Sequence, residues 1–387
     1  MSAQRLNIGF VPLVDCAPLI VAKELQFAAD EGLDLNLLRQ PSWAALRDLL
    51  ALGHLEAAHM LAPLPIAMSL GLSGVPVDVD VLMNISANGT VIGVSPAIAK
   101  KMQKTGWSGH TGTAKDALIA LDASTETFKV GVPFPFSMHK LLFEYWMRNT
   151  GLAAKAQIVT QQPPLMTDAL ARGDIDVFCV GEPWGQVAVN TANAELILTG
   201  SQIWSFAPEK VLAVRREWGF QNDATVAALM RAVYKACQWL DQPDNRPLAV
   251  EILARSEHLN LPYEALDPAI SKHLHLNQNS EPMMMENFIH FHRHAATFPW
   301  KSQAAWIAEH LLNPSEDDTT KHVKAATECF RTDLYRRHLG SIGVDTPGAS
   351  FKVEGTMDVE TAIASTHGTL ILGPDRFFDG QFYEFTP

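Results

Sequence analysis

Two stretches decide the fold: WAALRDLLALGHLEAAHM at 43–60 and PLMTDALARGDIDVFCV at 164–180. Each begins with apolar residues at helical spacing, breaks at a glycine (Gly53, Gly173), and ends in a short apolar run of strand length. The same helix–turn–strand unit in two distant places predicts an internal structural repeat. Working outward, LNIGFVP (6–12) reads as a strand and APLIVAKELQFAADEG (17–32) as a helix. LDLNLLRQ (33–40) and VDVDVLMNI (77–85) are further strands, and TVIGVS (90–95) closes the first half. The second half repeats the rhythm with FKVGVPF (128–134), AQIVTQQ (156–162), IDVFCVG (175–181) and AELILTG (194–200). Such alternation predicts an α/β fold with mostly parallel sheets. KVLAVRREW (210–218) reads as a strand returning to the first half, and the chain from about Asp223 onward reads as mainly helical. The expected organisation is two α/β lobes with a hinge and an interlobe cleft. The first lobe takes 1–95 plus 208–387, with the C-terminal helices; the second takes 96–207.

Composition narrows the function. The chain has 387 residues, 47% hydrophobic and 19% charged, which is enough for two lobes with buried cores. A formal net charge of −12, spread along the chain, argues against direct nucleic-acid binding, which needs a basic face. It leaves room for a small anion held by a few local donors. The four cysteines (Cys16, Cys179, Cys237, Cys329) are far apart and make neither a disulfide framework nor a zinc box. No apolar run reaches the roughly 18 residues of a membrane span. MSAQRLNIGFVPLVD lacks the apolar core and cleavage pattern of an export signal, so a cytoplasmic location is expected.

Clefts of this kind bind ligands between strand ends and helix N-termini. The stretches that reach it are VPLVDCAPL with Asp15, ISANGTVIG with Asn88 and Thr90, PFSMHK with Ser137 and His139, CVGEPW with Val180, Gly181 and Glu182, and SFAPEKVLAV with Lys210. A buried oxyanion needs several donors and a compensating positive charge. Lys210 and His139 are the candidates for that charge; the plainer readings are a solvated lysine and a packed helix-start histidine. Ser137 reads as an N-cap. His290, His292 and His294 alternate, and His290 with His294 would share one helical face, but no third ligand accompanies them at a known spacing. No metal or cofactor is expected.

Taken in order, IGFVPLVDCAPLIVAKE, SWAALRDLLALGHLEAAHMLAPLP, FPFSMHKLLFEYWM, QQPPLMTDALARGDIDVFCVGEPW and APEKVLAVRREW resemble the nitrate/bicarbonate-binding proteins, a family of ABC-transporter substrate-binding type. The likeness continues to HAATFPWKSQAAW and FFDGQFYEF. It implies a periplasmic-binding-protein-like fold of type II and no enzymatic activity. It also implies an anion site: Asn88 or Thr90 as the polar group of the first lobe, His139 from the second, Pro164, Val180 and Gly181 as lining, and Lys210 as the neutralising lysine. Bicarbonate-binding relatives carry an acid that recruits calcium where this chain has Lys210, so nitrate or nitrite without metal is implied. Where transporter-type receptors tend to have a tryptophan near AHMLAP, this chain has Met60.

With no export signal in view, the resemblance points to the cytoplasmic sensors of this family. These sequester an ANTAR-type RNA-binding antiterminator and release it when nitrate or nitrite binds, acting as negative regulators of nitrate assimilation. The alternatives are an exported receptor of a nitrate, bicarbonate or cyanate ABC transporter and, further off, an enzyme like the thiamine-pyrimidine synthase. That enzyme's cysteine-rich iron motif has no counterpart here.

Overall fold

The computed structural model describes residues 3–74, 76–109, 112–312 and 319–386. Two mixed sheets organise it. The first contains β1 (Gln4–Phe10), β2 (Leu33–Arg39), β3 (Ala57–Leu61) and β4 (Val79–Asn88). The second contains β5 (Thr90–Val94), β6 (Phe128–Val132), β7 (Ala156–Thr160), β8 (Val177–Gly181) and β9 (Glu195–Thr199). The chain then returns to the first sheet as β10 (Pro208–Arg215), and the short strand Ile289–His290 adds its edge beside β4. Across the first sheet the order is Ile289–His290, β4, β10, β3, β1, β2; across the second it is β7, β6, β8, β5, β9.

The sheets are less parallel than expected, for a topological reason. In the first, β1 pairs in parallel with β2 and β3, but β10 is antiparallel to both β3 and β4. In the second, β6 is parallel to β7 and β8, while β5 is antiparallel to β8 and β9. β5 and β10 are the strands that cross between lobes. Each enters its sheet from the cleft, so it runs against strands whose C-terminal ends point at the cleft. All the catchment of a ligand site is thereby gathered at one edge: the ends of β1, β3, β4 and β8 meet the beginnings of β5 and β10.

The first crossing also falls earlier than expected. TVIGVS belongs to the second sheet, so the change of lobe comes at Gly89 rather than at residue 95. Gly89 has φ 91° and Asn88 φ 60°, and this left-handed pair is what divides an otherwise continuous strand run from 79 to 94. The return crossing lies between Thr199 and Pro208.

One contiguous apolar core joins the lobes, with Trp43, Trp146, Trp204, Trp300 and Trp306 all fully buried. Helices follow at Asp223–Leu240, Arg246–Ala254, Tyr263–Ser271, Lys301–Leu311, Thr319–Thr327 and Thr332–Gly340. The four cysteines are buried free thiols. Among the described residues no helix is long and apolar enough to cross a membrane.

Candidate anion-binding site

Lys210 stands near the start of β10, opposite Leu61 of β3 and Ser86 of β4. It is no surface lysine: its side chain is 0% exposed. The ammonium lies 2.7 Å from Asp15 Oδ2 and 2.5 Å from Glu209 Oε1, and 5.6 Å from the centre of the Trp43 ring. Asp15, in the turn Val14–Cys16 after β1, uses its other oxygen to hold His59 Nε2 at 2.9 Å. His59 in turn packs against Trp43, with ring centres 5.4 Å apart.

The second lobe adds His139. Ser137 caps the helix Met138–Met147, accepting from Lys140 N at 3.2 Å and donating to the Phe134 carbonyl at 2.7 Å. That fixes the first turn and carries His139 inward, where its Nδ1 comes within 3.4 Å of Glu209 Oε1 across the lobe boundary. Gly181, at the end of β8, allows the approach. A Cβ there would meet Leu13 Cδ2 at 2.8 Å, with Asp15 Oδ2 and His139 Nε2 each 3.5 Å away. The lobes are also sewn together directly: Val14 N donates to the Glu182 carbonyl at 2.8 Å, and Trp184 Nε1 to the Pro12 carbonyl at 3.2 Å.

The electrostatics follow from burial and from Lys210. Burial alone would raise the Asp15 carboxyl, but Lys210 and His59 hold it down to about 2, so it is ionised. Glu209 is pushed up to about 7 by burial, which Lys210 only partly offsets. For Lys210 the burial penalty is outweighed by Asp15 and Glu209, so the ammonium keeps its proton more firmly than usual. Burial, reinforced by the Lys210 charge, holds His139 well below the ordinary histidine range, and burial likewise lowers His59 against the pull of Asp15. Both rings are therefore neutral, each with one donor and one acceptor nitrogen. Burial raises the thiols of Cys16 and Cys179, which makes them inert rather than nucleophilic.

Around this cluster lie buried polar atoms without a hydrogen-bond partner: Trp43 Nε1, His59 Nδ1, Ser86 Oγ, Thr90 Oγ1, both ring nitrogens of His139, and Glu209 Oε2. Each such group costs about 1–3 kcal/mol if left unanswered. So many in one place, drawn from both lobes, make this cluster the candidate site for a small polar ligand.

Not every residue expected at the site is there. Lys210, His139 and Gly181 come together, and Thr90 pairs with Gly181 on the adjacent strand. Met60 does not: β3 faces Leu212 with His59 and Val211 with Met60, so alternation puts Met60 on the sheet face opposite His59 and Lys210. The indole is supplied instead by Trp43. Val180, paired with Val91, likewise takes the face opposite Gly181. Pro164 is half-buried in a 3₁₀ turn that follows the edge strand β7, with β6 between that strand and β8.

Asn88 is committed elsewhere. Its amide donates to the Ser205 and Asn287 carbonyls at 2.8 and 3.0 Å and accepts from Ala207 N at 3.0 Å, all at the lobe crossing. It is a hinge residue rather than a ligand residue. Asn88→Ala should lose three hydrogen bonds and place an ordinary residue at positive φ, for a stability loss of about 3 kcal/mol in urea unfolding. A midpoint and slope matching the parent protein would remove Asn88 from that role.

His290 and His294 share no helix. His290 lies in the edge strand, and His294 and Ala295 have left-handed φ of 61° and 57°. Among the described residues no group of three or more His, Cys, Asp or Glu is placed to hold a metal.

Comparison with known proteins identifies the family. The model of the NMT1-like family matches residues 2–254. The chain belongs to the NMT1-like family. Among its relatives, the nitrate/nitrite binding protein NrtA of Synechocystis is 30% identical over 345 residues, covering 85% of this chain and 75% of that protein. The nitrate import ATP-binding protein NrtC of Synechocystis is 33% identical over 345 residues, and the chain spans about half of its length (50%). The crystal structure of the periplasmic nitrate-binding protein NrtA from Synechocystis superposes with a TM-score of 0.83 at 26% identity, over 99% of this chain and 96% of that one. The type II periplasmic-binding-protein fold and the nitrate/bicarbonate-binding resemblance read from the sequence are borne out. These relatives' names describe binding and import rather than catalysis.

Proposed function

We propose that this NMT1-like chain binds nitrate or nitrite, closing its two lobes on the anion at the Lys210 cluster. The observation that carries this is the set of partnerless buried polar atoms from both lobes, Trp43 Nε1, Ser86 Oγ, Thr90 Oγ1 and the His139 ring, gathered around one buried ammonium. A small planar oxyanion answers several of them at once and brings the charge that Lys210 attracts. The indole beside Lys210 suits a delocalised ion that is only weakly hydrated. The names of NrtA and NrtC point the same way.

Downstream of binding, delivery to the membrane components of an ABC importer is the reading that those names support. The other reading keeps the chain in the cytoplasm as a sensor whose lobe closure releases an ANTAR-type RNA-binding antiterminator. In that case anion and partner must weaken each other by the same factor. Calorimetry with nitrate, nitrite and bicarbonate tests the shared claim, and absence of binding by both nitrogen anions would overturn it. Pull-down of the antiterminator with and without nitrate then separates the two. A complex that nitrate dissolves establishes the sensor, and no complex leaves the import receptor.

A further inference from the structure

A second set of basic groups converges behind the hinge. A cavity of about 470 Å³ is lined by Arg246, Lys272, Arg293, His290, His294 and Asn287. Lys272 closes the helix Tyr263–Ser271 in a left-handed conformation (φ 64°) that turns its side chain inward, leaving it 7% exposed. Its ammonium donates to the Glu286 carbonyl at 3.2 Å. Among the described residues no carboxylate pairs with Lys272, Arg246 or Arg293 within 4.0 Å. The nearby Asp241 carboxylate is spent on the backbone N–H groups of Phe291, His292 and Arg293, at 3.2, 2.7 and 2.7 Å. The acids that line the cavity are Glu286, which is exposed, and Glu360, which is mostly in water and 3.7 Å from His294 Nε2. Solvent weakens their hold on the interior. Burial, with Arg246 and Arg293 nearby, lowers the Lys272 ammonium to about 8 despite Asp241. A buried ammonium with no carboxylate in contact asks for an anion.

His290 narrows the choice of anion. It is 4% exposed, and its Nε2 lies 2.6 Å from Asn287 Oδ1. The Asn287 amide nitrogen is turned toward the Ser205 carbonyl, so the oxygen faces His290 and Nε2–H is the donor. The remaining nitrogen, Nδ1, is then an acceptor, buried and without a partner. The cavity thus offers cations for negative oxygens, and the His290 ring that helps line it carries a buried acceptor nitrogen. A carboxylate at neutral pH has no O–H to give. A phosphate group has both features: HPO₄²⁻ and singly protonated phosphomonoesters carry anionic oxygens and a P–OH.

We propose that this cavity binds a phosphate group, as the free ion or as a phosphomonoester, through Lys272, Arg293 and Arg246, with His290 Nδ1 accepting from the P–OH. The volume exceeds what one phosphate fills, which leaves space for a small carbon skeleton. Through Asn287 the site touches the hinge: Asn287 shares the Ser205 carbonyl with Asn88, and His290 pairs with Ala87 of β4.

The test is calorimetry on the nitrate-free full chain with inorganic phosphate, glycerol 3-phosphate and succinate as probes. Binding of at least one phosphate probe, with succinate bound far more weakly, is the expected result, and which phosphate binds more tightly separates free ion from ester. Lys272→Gln and Arg293→Gln should each weaken it about tenfold or more, the loss of a charged hydrogen-bond partner. Arg293 is exposed and its backbone carries its structural bonds, so Arg293→Gln keeps the test alive should Lys272→Gln misfold. No phosphate binding at millimolar concentration, equal affinity in folded variants, or succinate bound as well as phosphate would each overturn the proposal. Nitrate takes no part in these titrations, so their failure leaves the Lys210 site standing.

Discussion

Lys210→Ala should reduce nitrate affinity by about a hundredfold, within the 1.5–3 kcal/mol of a charge-assisted partner together with the repulsion left behind. The repulsion is specific to this chain. The low value of Asp15 rests first on Lys210, so once the ammonium is gone only His59 opposes the burial that raises this carboxyl, and Glu209 loses the partner that partly offset its own burial. Whatever negative charge the cluster keeps then faces an incoming anion without compensation. The same change leaves Asp15 buried without its main counter-ion, which costs about 3–5 kcal/mol of stability. The double variant Asp15→Asn/Lys210→Ala removes that penalty and still lacks the donor. Stability should therefore recover in the double variant while nitrate affinity stays low. Calorimetry of both variants, with thermal unfolding as control, checks this. Parent-like affinity in Lys210→Ala would move the site away from Lys210.

How far the sequence reveals this site depends on the residue. The two lobes were legible because the helix–glycine–strand unit occurs twice, and Lys210, His139 and Gly181 were legible because they sit at strand and helix ends that the topology brings together. Trp43, His59 and Glu209 were not selected. In AAHML all five residues are buried, so the two faces of β3 carry no polar alternation to say whether His59 or Met60 looks into the cleft. The parity comes only from the pairing with β10. Lys210 reads equally as a solvated lysine, and only the six-stranded sheet, with β10 inserted between β3 and β4, shows that it and Glu209 are enclosed. Asn88 was found at the right place for the wrong reason. Its polarity serves the crossing, where its amide ties the carbonyls of Ser205 and Asn287 and the N–H of Ala207.

Glu209 also makes nitrate binding depend on pH, with a definite sign. Burial holds its carboxyl at about 7 in the folded chain, against roughly 4.5 when unfolded. Between those values the native chain keeps a proton that the unfolded chain has lost, so stability falls as pH rises through this window and levels off above it. Glu182, also raised to about 7 by burial, acts in the same direction. At about 1.4 kcal/mol per pH unit, each amounts to at most about 3 kcal/mol. Asp15 has the opposite sign, since its stabilisation is lost only as pH falls from the ordinary carboxylate range toward 2. An anion beside Lys210 favours protonated Glu209 further, so above about pH 7 binding must draw a proton from solvent. Nitrate affinity should accordingly be flat near pH 6 and fall by up to about tenfold per pH unit above 7. The neighbours facing Glu209 leave this assignment intact. Asp15 stays ionised, Lys210 stays protonated, and burial lowers both His59 and His139. Glu209→Gln should flatten the profile, while Glu182→Gln, whose carboxylate accepts from Gln186 N at 3.0 Å, should keep the slope and lose only its share of the stability change. Calorimetry in two buffers of different ionisation enthalpy counts the protons taken up. A count of zero at pH 8 in the parent chain would mean that Glu209 does not face the anion.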